Sequence, residues 1–167
     1  PEMFKPDLYR DAAKYKIRRT VINIPNKVSG LEFICGLNND KMDFALLRTN
    51  KSKILKTMRN KFGSSDKLSI GDFVYAMGYS LATGMTVTGG NISAVDRYNV
   101  FGFPKNDRAV EQFMFSSPIS PGNSGGPVMA IYNNELYLVG IAVASYVRGQ
   151  NLNIGVKIND IVKEIYK

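Results

Sequence analysis

PGNSGGP, at residues 121–127, places Ser124 among three glycines and directly before an apolar segment, VMAI. A serine hydroxyl is a weak nucleophile unless a base takes its proton and donors stabilise the oxygen of the carbonyl that it attacks. A loop of glycines turns sharply enough to aim the N–H groups of Gly122 and Ser124 at one point. The same composition also suits an ordinary turn between two strands. Taken alone, the loop leaves both interpretations open.

Short strands separated by turn residues make up most of the chain. Apolar and β-branched runs predict the strands, and clusters of Gly, Pro and Asn predict the turns. Near the end, Ile161, Val162 and Ile165 have helical spacing, with Asn159 or Asp160 as a candidate N-cap. The pattern favours an antiparallel barrel or sandwich. The predicted strands are residues 19–24, 31–36, 44–48, 73–77, 86–88, 90–95, 112–115, 127–131, 136–143 and 153–158, with helices at 51–62 and 158–167.

The loop and its flanks resemble the nucleophile motif of the chymotrypsin-like serine proteases, and Asn123 before the serine is similar to the HtrA/Deg branch. Other segments resemble that family in the same order, over roughly residues 19–167. They are the aspartate segment 42–47, the strand 70–78, the hairpin 84–95, the pocket strand 139–143 and the segment 153–156 with the terminal helix.

The resemblance implies an all-β fold, a chymotrypsin-like double β-barrel with an incomplete first barrel and a C-terminal helix. Residues 1–67 would then hold the remainder of the first barrel and a basic connecting segment. Residues 68–167 would hold the second barrel with the nucleophile loop and the terminal helix. The implied function is a serine endopeptidase that works through an acyl-enzyme on Ser124.

The resemblance also implies roles for individual residues. Ser124 is the nucleophile, and Asp43 is the carboxylate that orients the base. Such a carboxylate is held against a ring N–H in a partly buried site, so Asp43 is expected to be buried between Met42 and Phe44. The oxyanion hole is assigned to Gly122, Asn123 and Ser124.

The implied substrate pocket has no charged wall. Pro118 stands six residues before the serine, where a carboxylate would be needed to hold a substrate Lys or Arg. Apolar walls of middling size favour a small or medium aliphatic side chain before the cut bond. The backbone of residues 143–145 is expected to pair with an extended substrate as an added strand. The substrate-binding residues implied are Ile119, Val143, Ala144, Ser145 and Val156.

The base itself is missing, because the chain contains no histidine. Lys14 and Lys16 are poor substitutes, since a lysine base needs a strongly lowered pKa and both lie in a basic run. Either the histidine lies in an upstream segment removed before Pro1, or the protein is a pseudoprotease that binds peptides or partners. Loss of the base costs such a triad roughly 10⁶ in turnover, so this chain alone is expected to be nearly inert.

The net charge of +8 is confined to one half of the chain. Residues 1–67 carry 15 basic and 7 acidic side chains, whereas residues 68–167 carry seven of each. A basic surface of this kind suits nucleic acid or anionic lipid, which makes an anion-binding module the second alternative function. A solvated basic face is the plainer interpretation, because no aromatic-and-glycine RNA motif or helix-turn-helix spacing accompanies the charge.

The remaining features limit the class of protein. Cys35 is the single cysteine, which excludes an internal disulfide and predicts a small buried hydrophobe. No apolar run approaches the ~20 residues that span a bilayer, and no cofactor or metal is indicated. The expected partners are a protein or peptide substrate, an upstream segment of the same precursor and further copies of the chain. A bacterial envelope or cytoplasm is the preferred location, with a viral polyprotein product as the alternative.

Overall fold

A computed structural model describes residues 31–38, 42–49, 61–98, 108–146 and 149–166 of the chain. Strands dominate these residues, as runs of Val, Ile, Phe and Tyr between Gly, Pro and Asn turns predict. In chain order they are β1 (Leu31–Asn38), β2 (Asp43–Thr49), β3 (Lys61–Phe62), β4 (Phe73–Gly78), β5 (Thr86–Ala94), β6 (Arg97–Tyr98), β7 (Arg108–Ala109), β8 (Gln112–Phe115), β9 (Pro127–Tyr132), β10 (Glu135–Ser145) and β11 (Asn153–Lys157), followed by the helix α1 (Ile158–Ile165).

Six of these strands close into an antiparallel barrel. Around the ring they run β11, β8, β5, β4, β9 and β10, and β10 then pairs back with β11. Closure satisfies the backbone groups that an open sheet would leave at its edges. The short strand β3 adds a parallel pairing to β10, and β1 and β2 form a separate hairpin. The prediction of an all-β chain that ends in a helix is confirmed.

Alternate residues of the barrel strands point inward and form the main core. On β4, Val74 and Ala76 are buried, whereas Phe73 is half exposed. Phe113 is completely buried, and its ring lies against Gly140 and Gly155, where any Cβ would overlap the ring. Burial of one such side chain contributes about 1.5–3 kcal/mol. The core consists of Leu68, Val74, Ala76, Ile92, Phe113, Phe115, Val128, Ala130, Val139 and Ala142.

A second apolar cluster joins the hairpin, the opposite face of β10 and the helix. Met42 enters it from the residue before β2 and Phe44 from β2 itself. Val156 enters from β11, and Ile158 and Ile161 from α1. The hairpin therefore shares a core with the barrel, and the domain boundary at residue 67 stays a prediction. Partly buried side chains complete the second cluster, namely Cys35, Leu37, Leu138, Ile141, Val143, Val162 and Ile165.

The environment of Cys35 agrees with its predicted packing role. Its side chain is half-buried against the second cluster. Desolvation raises the pKa of its thiol, which lowers the fraction of reactive thiolate at neutral pH.

The helix begins differently from the prediction. Its N-cap is Lys157 rather than Asn159 or Asp160, and the Lys157 side chain makes no capping hydrogen bond. Asn159 instead faces the 3-10 turn at Ser65–Lys67. Its Oδ1 accepts from the N–H of Ser65 at 3.3 Å, and its own N–H donates to the Ser65 hydroxyl at 3.2 Å. Asn159 therefore fastens the helix to a turn 94 positions earlier instead of capping it.

Three other elements differ from the predicted ones. The two short strands predicted at 86–88 and 90–95 are one strand, β5, because its glycines stay extended and pair with β4. The helix predicted at 51–62 is wrong at its end, where Lys61 and Phe62 form β3 beside β10. The rest of that helix and the strand predicted at 19–24 lie outside the described residues. The short pairing of β6 with β7 was not predicted.

The described part of the chain contains no helix that is long and apolar enough to cross a membrane. Within the same residues, no three His, Cys, Asp or Glu side chains gather where they could hold a metal ion.

Candidate active site

The loop at residues 121–126 is fixed to β10 by two backbone hydrogen bonds. The N–H of Gly125 donates to the carbonyl of Ala142 at 2.8 Å, and the N–H of Ala142 donates to the carbonyl of Gly126 at 2.9 Å. Ala142 therefore binds the loop with both of its backbone groups, in the way that a neighbouring strand residue does.

A β-bulge follows this attachment point. The register of β10 against β11 shifts between Ala142 and Ala144, which leaves Val143 as the extra residue. The carbonyl oxygen of Val143 lies 3.5 Å from Oγ of Ser124. The bulge therefore brings a backbone acceptor to the serine.

Two glycines permit the shape of the loop. Gly122 and Gly125 have φ angles of +102° and +83°, which L side chains rarely adopt. At Gly122 a second restriction applies, because a Cβ there would overlap the carbonyl oxygen of Tyr79. A Cβ at Gly125 would meet open space. Gly122 is therefore required for both its backbone angle and its close packing.

A 3-10 turn at Ser80–Ala82 holds the other side of the loop. The N–H of Leu81 donates to the carbonyl of Pro121 at 2.7 Å, and Leu81 itself has a φ of +49°. In a planar trans peptide the C=O and the following N–H point in opposite directions. Because the Pro121 carbonyl faces the turn, the N–H of Gly122 faces away from it.

Ser124 is exposed, and its hydroxyl makes only a weak hydrogen bond among the described residues. The bond from its Oγ to the Val143 carbonyl, 3.5 Å, is at the limit for a hydrogen bond. Among the described residues, the N–H groups of Gly122 and Ser124 have no acceptor. The N–H of Asn123 is already used, since it donates to Ser120 O at 3.0 Å. Of the three predicted oxyanion-hole residues, Gly122 and Ser124 thus offer free donors and Asn123 does not.

Sequence reasoning missed the polar side chains that support the loop. Asn123 is 1% exposed, and its Oδ1 accepts from the Ser80 hydroxyl at 2.5 Å and from the N–H of Ser120 at 3.3 Å. The Ser80 hydroxyl in turn lies 2.6 Å from Oγ1 of Thr86. Ser and Thr are common in turns, so their pattern alone does not distinguish a support from a turn.

The predicted substrate-binding residues differ in solvent exposure. Ala144 and Ser145 are exposed at the end of β10, and Val143 is half-buried. Ile119 is also half-buried and packs against the barrel core. Val156, by contrast, is completely buried in the second cluster and presents no surface to a bound molecule.

Asp43 is exposed, and the expectation that it would be buried is wrong. Met42 and Phe44 on either side of it are buried in the second cluster. Side chains alternate between the two faces of a strand, so Asp43 lies on the opposite face. Among the described residues its carboxylate has no hydrogen-bond or ion-pair partner. The second cluster also contains Val143, so the start of β2 and the bulge pack on the same apolar group.

Most of the side chains that suggested an anion-binding surface lie outside the described residues. They include Lys14, Lys16 and the basic residues of 51–59. The anion-binding alternative stays a prediction.

Comparisons with known proteins agree with this geometry. A sequence model of a family described as a trypsin-like peptidase domain matches residues 12–141. The periplasmic pH-dependent serine endoprotease DegQ of Escherichia coli K12 is 35% identical over 132 residues, which are 74% of this chain and 27% of DegQ. The periplasmic serine endoprotease DegP of the same strain is 32% identical over 127 residues, 75% of this chain and 25% of DegP.

The same similarity extends to solved structures. The HtrA-type protease AlgW, solved with a decapeptide, matches with a TM-score of 0.60 at 25% identity, over 81% of this chain and 40% of that one. This match confirms the predicted chymotrypsin-like fold with an incomplete first barrel and a C-terminal helix. The chain spans about a quarter of the length of the two curated relatives.

Gly122→Ala is expected to destabilise the protein more than Gly71→Ala. Both glycines have left-handed angles, φ +102° and +95°, so both substitutions carry about 1–3 kcal/mol of backbone strain. Only at Gly122 does the new Cβ meet a carbonyl, that of Tyr79, whereas Gly71 faces open space. The overlap adds roughly 1–3 kcal/mol. Urea unfolding of both variants measures the difference, and equal losses would show that the loop does not pack on Tyr79.

Proposed function

Because the chain belongs to the trypsin-like peptidase family, as a serine protease domain of the HtrA/Deg type, we propose that it hydrolyses peptide bonds with Ser124 as the nucleophile. The observation that carries this proposal is the exposed Ser124 hydroxyl beside two N–H groups without acceptors among the described residues. Acyl transfer needs a nucleophile and donors directed at the same carbonyl. The loop supplies both within three residues.

In the proposed reaction, Oγ of Ser124 attacks the carbonyl carbon of the peptide bond and gives its proton to a base. The carbonyl oxygen becomes an oxyanion and accepts hydrogen bonds from the N–H groups of Gly122 and Ser124. The leaving amine takes the proton from the base, and an acyl-enzyme remains on Ser124. Water activated by the same base then releases the acyl group. Removal of one oxyanion-hole donor lowers kcat about 10²–10³-fold.

The base is proposed to be a histidine of an upstream segment, since these 167 residues contain none. Asp43 is proposed to orient that histidine. Its exposure supports this role, because a carboxylate on the open face of β2 is accessible to the N–H of an imidazole ring that would then cover it. The packing of Met42 and Phe44 in the cluster that contains Val143 supports a position of this chain segment near the β10 bulge beside Ser124, although the Asp43 carboxylate itself lies on the other face of β2.

The substrate is proposed to bind as a strand along residues 143–145. On one side, Ala144 and Ser145 pair with Ile154 and Asn153 of β11. On the other side, β9 pairs with β10 only as far as Ile141, and no other described strand continues beyond the loop contacts of Ala142. An open backbone edge of this kind accepts an extended peptide as an added strand. AlgW was solved with a decapeptide, which supports a peptide partner.

The side chain before the cut bond is proposed to be small or medium and aliphatic. Ile119 and Val143 are apolar and half-buried, and Pro118 offers no charge to a substrate Lys or Arg. Each apolar CH₂ buried there contributes about 0.8 kcal/mol, whereas a buried cation would have no counter-charge.

Labelling with a fluorophosphonate probe tests the nucleophile. The protein expressed from its natural reading frame is expected to be labelled, and Ser124→Ala is expected to abolish the label, because the probe reacts only with an activated serine hydroxyl. Ser93→Ala, which changes an exposed serine of β5, is the matched control and keeps the label. The 167-residue chain alone is expected to react roughly 10⁶-fold more slowly. A folded but unlabelled natural product contradicts the proposal and leaves the pseudoprotease alternative.

Peptides that differ only at the residue before the cut bond test the pocket. Cleavage after valine is expected to exceed cleavage after arginine by roughly 10²-fold to 5 × 10³-fold in kcat/KM, because an unpaired buried cation costs about 3–5 kcal/mol. Steady-state kinetics on the two peptides give the ratio. Equal rates, or faster cleavage after arginine, contradict the apolar pocket while leaving Ser124 as the nucleophile.

A further inference from the structure

We propose that Ser80 is a positioning residue for the oxyanion site, acting through Asn123 as the middle member of a hydroxyl relay that begins at Thr86. This inference rests on the proposed peptidase function. It adds two residues, Ser80 and Thr86, that neither touch the substrate nor belong to the nucleophile loop.

The relay consists of three side chains from three separate segments. Oγ1 of Thr86, at the start of β5, lies 2.6 Å from Oγ of Ser80 in the 3-10 turn. Oγ of Ser80 lies 2.5 Å from Oδ1 of Asn123 in the nucleophile loop. Thr86 also lies 3.2 Å from the carbonyl of Gly78 at the end of β4. The first two of these bonds are shorter than the 2.8 Å bond that Thr83 makes in the same turn.

The direction of the relay follows from the count of available protons. The N–H of Ser120 faces the Asn123 amide at 3.3 Å, and an N–H can only donate, so the atom it meets is Oδ1. Ser80 must then donate its single hydroxyl proton to Oδ1. Its oxygen is left to accept from Thr86, whose single hydroxyl proton faces Ser80 at 2.6 Å and the Gly78 carbonyl at the longer distance of 3.2 Å. Thr86 therefore orients Ser80, and Ser80 holds Asn123.

Asn123 adjoins both residues that carry the oxyanion donors, and its own carbonyl shares a peptide with the N–H of Ser124. Its side chain is almost completely buried, and its Nδ2 has no acceptor among the described residues. Without the Ser80 hydroxyl, the amide would keep only the longer bond from Ser120. Movement of Asn123 would then turn the Asn123–Ser124 peptide, which carries the N–H of Ser124, and shift the Gly122–Asn123 peptide, which is joined to the Cα of Gly122.

Close packing makes the arrangement specific to this turn. Gly78 lies directly against Asn123, and a Cβ on Gly78 would come within 2.8 Å of the Asn123 Cα. The next residues of the same turn bond the Pro121 carbonyl through the N–H of Leu81 at 2.7 Å. The turn therefore holds the loop at two points, one through the backbone and one through the relay, and only the relay depends on side-chain hydroxyls.

Kinetics of Ser80→Ala in the protein expressed from its natural reading frame test the proposal. With a peptide that has valine before the cut bond, kcat is expected to fall about tenfold, the value of one buried hydrogen bond, while KM stays unchanged. Ser80→Thr, which keeps a hydroxyl, is expected to recover most of the loss. Thr86→Val keeps the shape but not the proton and is expected to lower kcat about threefold.

Thr83→Val is the matched control. Thr83 belongs to the same segment, and its hydroxyl donates to the Ser80 carbonyl at 2.8 Å, so its loss perturbs the turn without touching the relay. The control is expected to leave kcat unchanged. If Ser80→Ala keeps the wild-type kcat, or if Thr83→Val lowers kcat as much, the relay has no positioning role. If Ser80→Ala does not fold, an unchanged kcat in Thr86→Val overturns the proposal instead.

A readout independent of catalysis separates this inference from the proposed function. The backbone amide NMR signals of Gly122 and Ser124 are expected to shift in Ser80→Ala and to stay in place in Thr83→Val. If the fluorophosphonate probe does not label the wild-type protein, the peptidase proposal is wrong. The amide signals would still show whether the relay positions the loop. Signals that do not move in Ser80→Ala would remove the relay, whatever the activity.

Discussion

Three glycines within residues 121–127 give the loop that carries Ser124 little conformation of its own, because glycine loses more backbone entropy on folding than any other residue. Its shape must therefore be imposed by neighbours. Ala142 holds it on one side with two backbone bonds, and the turn at Ser80–Ala82 holds it on the other. The buried side chain of Asn123 anchors the loop through its hydrogen bond with Ser80. Every chemical property of the site depends on these contacts.

The closed barrel explains why the contacts converge. β9 begins directly after the loop, and its two neighbours in the ring are β4 and β10. The strands are antiparallel, so the end of β4 and the second half of β10 lie beside the start of β9. The turn that follows β4 and the bulge in β10 therefore flank the loop from opposite sides. The second cluster then brings the β1–β2 hairpin, with Asp43, against the outer face of β10.

The strands were predictable where apolar runs are bounded by turn residues. β8 was predicted with its observed bounds, and β4, β9 and β11 within one residue, although β4 alternates in burial while β8, β9 and β11 are buried along consecutive residues. The glycine loop was equally visible, since few other sequences can follow its backbone angles. β5 was predicted as two strands because it contains two glycines. Glycine inside a strand usually indicates a break, and only the pairing with β4 shows that the strand continues. The exposure of Asp43 depends on which face of β2 meets the second cluster, which the sequence of β2 alone does not tell.

Polar contacts between segments that are far apart in the sequence could not be predicted from the sequence. Asn159 was expected to cap α1, yet it bonds Ser65, 94 positions away. Ser80 was not singled out and Thr86 was placed only in a predicted strand, yet the Ser80 hydroxyl binds Asn123 across 43 positions of the chain and lies 2.6 Å from that of Thr86. Short polar side chains satisfy whichever partner the fold brings near, so their roles emerge only from the tertiary structure.

A crystal structure of the natural protein with a phosphonate adduct on Ser124 tests the central claim most directly. The claim is that the imposed shape of the loop aims two free N–H groups at one oxygen. The account predicts an adduct oxygen within about 2.7–3.1 Å of the nitrogens of both Gly122 and Ser124, with the Asn123 side chain still buried against Ser80. An adduct whose oxygen meets neither nitrogen, or a Gly122 N–H turned toward Tyr79, would contradict it.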